Sequence, residues 1–492
     1  MTLLLEDGTE PLADLQHHVA RAAGLFAAGG IREGDAVALL LRNGPAFLVA
    51  TMAAQRLGAY AVPINWHFAP PEVAYVLADC GARILVGDAD LLATISNRIA
   101  AGTQVFSVDG DVAGLRAKQW DRALADAAAL ETEPRAAVQS MIYTSGTTGR
   151  PKGVRRFPPT REQASAQAAM RAQIYGHGPG MRALLAAPLY HSAPNFFALN
   201  ILRSAGLLVL QRKFDAEATL RLIDEHRITH MFMVPSMFMR LLALPAAARD
   251  RFDLSSLRHV VHAGAPCPAG VKASMIDWWG PVLSEYYGST ELGPLTFCNA
   301  HEWLSHRGTV GRALDGVVLS VRDEAGSPCG PFGIGEIHVE RSPQGDFTYH
   351  GNDEKRRAME TGAGLATGDL GYLDDAGHLY ICDRLTDMVI SGGVNIYPAE
   401  IEAALMEIDG VADCTVLGAP DPEFGEKLIA FVQPLPGLRP DPAALEAALR
   451  ERIAGYKVPR DFRFSASLPR DDNGKIFKRI LRAGLREETR DI

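Results

Sequence analysis

Apolar positions recur along this chain in two alternating rhythms. The segment FDAEATLRLIDEHRITHMFMVPSMFMRLL, which starts at residue 214, carries both. Asp215 is placed to cap a helix, and Leu220 and Ile223 fall one helical turn apart on one face. The run ITHMFMV then reads as a buried strand ended by Pro235, with Ser236 next in line to cap a following helix. Repetition of this unit predicts an α/β fold with largely parallel sheets.

Two changes of texture divide the chain. Between about 316 and 382, short strands such as GEIHVE and GHLYIC alternate with Gly, Asp and Pro, which predicts a β-rich subdomain. After Arg384 the order is helix PAEIEAALMEI, strands DCTVLGA and EKLIAFVQP, helix DPAALEAALRERIAG, strand DFRFSAS and helix IFKRILRAGL. Leu445, Leu449 and Ile453 make a single apolar stripe there. The expected division is a large N-terminal domain over residues 1–385 and a small mobile α+β domain over 386–492, joined by a short hinge.

Length supports this division, because 492 residues exceed what one hydrophobic core encloses. With 47% hydrophobic and 22% charged residues the composition is that of a globular protein. A net charge of −9 argues against nucleic-acid binding. No apolar run approaches the length of a membrane span, and MTLLLEDGTEPL lacks the basic start and long apolar core of a signal peptide. The six cysteines are scattered without a CxxC pair, so neither a disulfide framework nor a zinc site is expected. A cytoplasmic protein is the resulting expectation, with a homodimer left open.

Candidate chemistry begins at residues 143–154, YTSGTTGRPKGV, which no core strand or helix would choose. The loop leaves a predicted strand, AAVQSMIY. Gly146, Gly149 and Gly153 would expose backbone N–H groups there. Thr144, Ser145, Thr147 and Thr148 add hydroxyl donors and Lys152 adds a point charge, the groups that would cradle a triphosphate. The familiar phosphate-loop pattern is not met, since Gly153 follows Lys152 and Pro151 breaks any helix starting there. Taken alone, the segment is as well read as a flexible surface hairpin.

It is not alone. YTSGTTGRPKGV resembles the signature loop of the adenylate-forming superfamily, which includes acyl-CoA synthetases, firefly-type luciferases and the adenylation domains of peptide synthetases. Six further blocks stand in that family's order: RLGAYAVPIN, APLYHSAP, EYYGSTELG, ATGDLGYLD, DRLTDMVISGGVNIYPAEIE and LPRDDNGKIFKRILR. The resemblance implies a two-step reaction. A carboxylate attacks the α-phosphate of Mg·ATP to give an acyl-adenylate and pyrophosphate, and a thiol, usually that of coenzyme A, then displaces AMP.

The same resemblance assigns residues. The loop 144–153, with Gly149 and Lys152, would hold the β- and γ-phosphates. Gly264, Ala265 and Pro266 would lie along the adenine, on which Tyr287, followed by Gly288, would stack. Thr290 would contact the α-phosphate and Glu291 would ligate Mg2+, for which one carboxylate with phosphates and waters suffices. Asp369 and Arg384 would meet the ribose hydroxyls. Lys475, presented by the turn DDNG, would bridge the α-phosphate and the attacking carboxylate. Thr386 would be the hinge, where Lys or Asp is commoner. Gly392 and Gly393 would leave room for the pantetheine arm, and His191 would stand at the mouth of that passage.

The acyl pocket is expected from NFFALN, FMVPSMFMR, HAGAP and LGPLTF, with Phe196, Phe197, Met233, Met237 and Leu292 as its lining. Apart from Arg240 and His262 these segments offer no charge, so an apolar fatty, alicyclic or aromatic acid is favoured over an amino or dicarboxylic acid. Three rival readings follow from the same residues. One keeps the adenylation but transfers to a carrier-protein thiol or oxidises the acid. Another is a phosphate-loop ATPase or kinase, whose motif is missing. The third is a nucleotide-binding protein without catalysis, which the presence of Lys475, Glu291 and Asp369 argues against.

Overall fold

A computed structural model of the chain describes residues 2–9, 14–131, 138–144, 150–176, 178, 180–204, 206–343, 345–438, 440–471 and 474–490. The fold is mixed α/β, with a large N-terminal and a smaller C-terminal domain. Its two main sheets are parallel where helices alternate with strands, as the rhythm predicts. One sheet runs Tyr60–Pro63, Ala36–Leu40, Ile84–Asp88, Gln104–Val108, Ala117–Gln119. Every residue of Ala36–Leu40 is buried. Val37 and Leu39 enter one core while Ala38 and Leu40 enter another, as a strand covered on both faces requires.

The larger sheet is ordered Thr2–Leu5, Leu207–Leu210, Arg182–Leu185, His230–Met233, His259–His262, Leu283–Glu285, and then two antiparallel strands, Thr296–Asn299 and Arg312–Ala313. Asp215 caps the helix Ala216–His226 by accepting from the Ala218 N–H at 2.8 Å, and Leu220 and Ile223 are fully buried. The next helix begins two residues earlier than expected. Pro235 is its first residue and Val234 its cap, because proline's missing N–H costs nothing at a helix start. Ser236 therefore lies inside the first turn rather than capping it.

Between 317 and 384 the β-rich region forms an antiparallel sheet of Val317–Arg322, Gly335–Arg341, Gly364–Leu373, Glu360–Thr361 and Leu379–Arg384. A separate three-stranded antiparallel sheet joins Ile142–Thr144, Lys152–Arg156 and Phe347–Tyr349, so residues some two hundred positions apart meet beside the glycine-rich loop. Beyond Val389 the strands form a sheet of their own. Its two long members, Val411–Asp421 and Gly425–Pro434, bury Val416 on one face and Leu417 on the other. Leu445 and Leu449 of the helix Pro442–Arg450 are buried against it, and Ile453, just past the helix end, is half-buried. No helix among the described residues is long and apolar enough to cross a membrane.

Candidate active site

Open α/β sheets place ligands at the carboxyl ends of their strands. The strands His259–His262 and Leu283–Glu285 run out there into Gly264–Pro266 and Tyr286–Glu291. Gly264 takes φ +90, which only glycine adopts without strain, and a side chain there would meet no atom within 4 Å. Tyr287 donates its hydroxyl to Asp369 at 2.6 Å. Asp369 and Arg384 are paired across neighbouring antiparallel strands, and the guanidinium stands 3.5 Å from the carboxylate. Burial raises the Asp369 pKa, and Arg384 and the Tyr287 hydroxyl act against that rise. Gly288 has no room for a side chain, since a β-carbon would lie 2.1 Å from the Gly293 carbonyl.

A second group forms around Glu291. Its carboxylate accepts from the Tyr349 hydroxyl at 3.2 Å and from the Thr144 hydroxyl at 3.4 Å. Thr290 shares a 3.1 Å hydrogen bond with Ser192, one residue beyond His191. Arg156 holds the backbone of this segment by donating to the carbonyls of Thr290 and Glu291 at 2.9 and 2.8 Å. Burial lowers the Arg156 pKa to about 10. Lys152 pairs in strand register with Thr144 and so stands at the same edge. Ser145, Gly146, Thr147, Thr148 and Gly149 lie outside the described residues.

Lys475 arrives from the other domain. The Gly474 N–H donates to the Asp471 carbonyl at 2.8 Å, closing the predicted turn, and the Lys475 N–H donates to the Asp471 carboxylate at 2.8 Å. Gly474 packs directly on Ser236. Lys475 is exposed along its length, while its amine is crowded by protein. This crowding, with Arg384 nearby, lowers its pKa, while Asp471, Glu291 and Asp387 act the other way. Asp471 also faces His191, whose Nε2 is 3.9 Å from the carboxylate. That nitrogen is buried without a hydrogen-bond partner, and burial with Lys475 and His67 nearby pushes the ring down to about 3, so the imidazole is neutral at neutral pH.

Thr386 is exposed in the turn between two anchored neighbours. Leu385 donates to the Gly368 carbonyl at 2.9 Å, on the N-terminal side. Asp387 pairs with Arg482 at 2.8 Å and Lys478 at 3.5 Å, on the final helix. Gly392 and Gly393 take φ +58 and +79 at the exposed tip of the hairpin Val389–Ser391, Val394–Ile396. None of the contacts described joins them to Tyr287, Glu291 or Lys475.

The expected acyl lining divides between two faces of the sheet. Phe197 packs on Phe232 (ring centroids 6.3 Å apart) and on Tyr175 (5.6 Å), and Phe196 on Tyr175 (6.2 Å). Met233 follows Phe232 along the strand and so projects from the opposite face, beside its register partner His262. Met233 is therefore not in one lining with Phe197. His262 shares that hidden face, against Phe238 and 3.7 Å from Glu285, itself in a buried 2.6 Å ion pair with Lys272. Phe197, Met233, Met237 and Leu292 are all packed into the core, and Phe196 alone keeps partial exposure. Arg171, whose guanidinium lies 5.7 Å from the Phe196 ring centroid, adds a cation that no quoted segment contains.

Arg156, Tyr349 and Asp471 were not singled out by sequence. Asp471 lay within the quoted DDNG turn, but its facing partner His191 is 280 residues away. Tyr349 and Arg156 reach the site through sheet pairing, which leaves no local signature.

Comparison with known proteins accords with this geometry. The AMP-binding enzyme family matches residues 12–344, and the AMP-binding enzyme C-terminal domain matches residues 400–475. A feruloyl-CoA synthase from Amycolatopsis sp is 35% identical over 473 residues, covering 95% of this chain and 92% of that protein. The fatty acid–[acyl-carrier-protein] ligase ScoC of Streptomyces coeruleorubidus is 31% identical over 489 residues, covering 98% and 92%. Among solved structures, the amide bond synthetase McbA from Marinactinospora thermotolerans superposes with a TM-score of 0.86 at 29% identity, covering 98% of this chain and 96% of that one. The chain belongs to the AMP-binding enzyme family of the adenylate-forming superfamily.

Proposed function

We propose that this protein is an AMP-forming acyl-CoA synthetase that activates an apolar carboxylic acid with ATP and passes the acyl group to coenzyme A. The observation that carries the reading is the seating of the Lys475 turn on Ser236, within electrostatic reach of both Glu291 and Arg384. In the first step a carboxylate oxygen bonds to the α-phosphorus and the bond to the pyrophosphate oxygen breaks. Lys475 neutralises the charge that grows between carboxylate and phosphate, and Thr290, held by Arg156, orients the α-phosphate. Asp369, fixed by the Tyr287 hydroxyl, accepts from the ribose hydroxyls, and Arg384 donates to them. Gly264, Ala265, Pro266, Tyr287 and Gly288 bound the adenine.

Glu291 with the Thr144 and Tyr349 hydroxyls offers hard oxygen donors that suit Mg2+. These residues would hold the ion, which when bound neutralises polyphosphate charge. Lys152 and the loop 145–149 meet the terminal phosphates.

The second step needs the C-terminal domain, residues 386–492, to turn about Thr386. The Leu385 N–H holds the Gly368 carbonyl while the Asp387 carboxylate holds the final helix, and this change of side-chain and backbone partners around Thr386 supports that position. Gly392 and Gly393 then come to the site, and the thiol passes His191, attacks the acyl carbonyl and expels AMP. The partly exposed Phe196 ring, backed by the core-packed rings of Tyr175, Phe197 and Phe232, supplies an apolar surface that favours fatty, alicyclic or aromatic acids. A cytoplasmic location belongs to the same reading. A carrier-protein thiol is the alternative acceptor, favoured by the likeness to a protein named as an acyl-carrier-protein ligase.

The test is pyrophosphate release from Mg·ATP with a panel of carboxylic acids, with and without coenzyme A. Release with one acid class together with loss of free thiol supports the ligase. Release without thiol loss moves the reading to another acceptor, and silence across the panel refutes it.

A further inference from the structure

Two lysine amines converge on the terminal-phosphate side of the site. Tyr349 pairs with Val154, and the His350 N–H donates to the Gly153 carbonyl at 2.8 Å, so the short helix Asp353–Arg357 is led past Lys152. Lys355 on that helix brings its amine 4.9 Å from the Tyr349 ring centroid, within electrostatic reach of the Lys152 amine. Tyr349 in turn donates to Glu291, the counter-charge that faces this pair. Two neighbouring ammonium groups repel each other, and a polyphosphate between them converts that repulsion into attraction.

The geometry points to Lys355 as a second lysine that, with Lys152, grips the terminal phosphates of the nucleotide and the pyrophosphate released from it. The inference rests on the adenylation reading above. Position 355 lies outside every motif quoted from the sequence. Tyr349 links the pair to the carboxylate proposed for the metal, so the lysines and Glu291 would meet the same phosphates from two sides.

The electrostatics agree with this placement. Burial and then the neighbouring Lys152 lower the Lys355 pKa to about 8, while Glu291 acts the other way.

The experiment is calorimetric titration of magnesium pyrophosphate into the wild type and into Lys355→Ala, Lys355→Arg and Lys152→Ala. It is run at neutral pH. The melting temperature of each unliganded variant checks that it folds. Expected is affinity lower by roughly ten- to a hundredfold in Lys355→Ala. Lys355→Arg should recover most of the affinity. Wild-type affinity in Lys355→Ala, with binding weakened in Lys152→Ala, would overturn the role of Lys355 and leave the phosphate site standing. Undiminished binding in both alanine variants would overturn the phosphate site as well.

Discussion

Gly474 and Ser236 touch so closely that a β-carbon on Gly474 would stand 2.3 Å from the Ser236 hydroxyl oxygen and 2.5 Å from its β-carbon. This is where the lysine turn meets the helix Pro235–Leu242, and it leaves no slack. Gly474 also holds φ +78, which a side chain resists. Gly474→Ala should therefore lift the turn and lower the adenylation rate on the order of a hundredfold, the usual cost of a displacement of about an ångström. Adding Ser236→Gly should restore part of the rate, because it removes the clash and leaves only the backbone strain. Rapid-quench measurement of acyl-adenylate decides the matter, and wild-type rates in Gly474→Ala would show that the contact is not maintained during the reaction.

Lys475 supplies the charge that this contact positions. Its removal in Lys475→Ala should slow acyl-adenylate formation about 10²- to 10³-fold, the scale seen when one group serving a developing charge is lost. Conversion of a supplied acyl-adenylate to thioester should persist, because the growing phosphate charge is absent from that step. Equal loss in both half-reactions would reject the assignment.

The pair Tyr287 and Asp369 makes a prediction about acid. Burial already raises the Asp369 pKa above the ordinary carboxylate value, and the 2.6 Å hydrogen bond from Tyr287 opposes that rise. Asp369 accepts from ribose only as the anion, so nucleotide affinity should fall as pH drops through this raised pKa. In Tyr287→Phe the opposing hydrogen bond is gone, and the fall should begin at higher pH. Nucleotide affinity measured across the acid range tests this, and identical profiles would sever Asp369 from nucleotide binding.

His262 governs stability rather than chemistry. Its ring is fully buried with neither nitrogen hydrogen-bonded, and burial, with Lys272 nearby, depresses its pKa well below 6.5. The unfolded chain takes up a proton near 6.5 that the folded chain refuses, so stability present above that pH is lost as pH falls below it. His191, depressed to about 3, adds in the same direction. His262→Leu should flatten the decline of melting temperature between neutral pH and about pH 5. A decline as steep as the wild type's would mean that other groups set the acid limit.

What sequence made legible follows from how each group is held. Thr144, Lys152, Thr290, Glu291, Asp369 and Lys475 stand in contiguous motifs because short turns at strand ends must carry both the bend and the chemistry. Asp215 and Leu220 were readable because helix caps and stripes are local. Lys355 was not, since only the pairing of Lys152–Arg156 with Phe347–Tyr349 brings it to Lys152. Met233 was misread for a similar reason. Composition shows that a strand is apolar but not which face each residue serves, and one step along the strand separates Phe232, beside Phe197, from Met233 behind it. Pro235 hid the helix start because proline ends a strand and opens a helix with equal ease.

Gly393 separates the two half-reactions from the other side. It stands at an exposed hairpin tip with φ +79, and no atom lies within 4 Å of where a β-carbon would sit. A larger residue there meets no clash in this arrangement of the domains, so adenylation should be retained in Gly393→Leu apart from the local backbone strain. After rotation about Thr386 the same side chain would occupy the path of the pantetheine arm, and thioester formation should fall at least tenfold, with the Michaelis constant for coenzyme A raised. Single-turnover assays of the two steps distinguish this from a folding defect, which would depress both. A thioester step untouched in Gly393→Leu would place the thiol passage elsewhere.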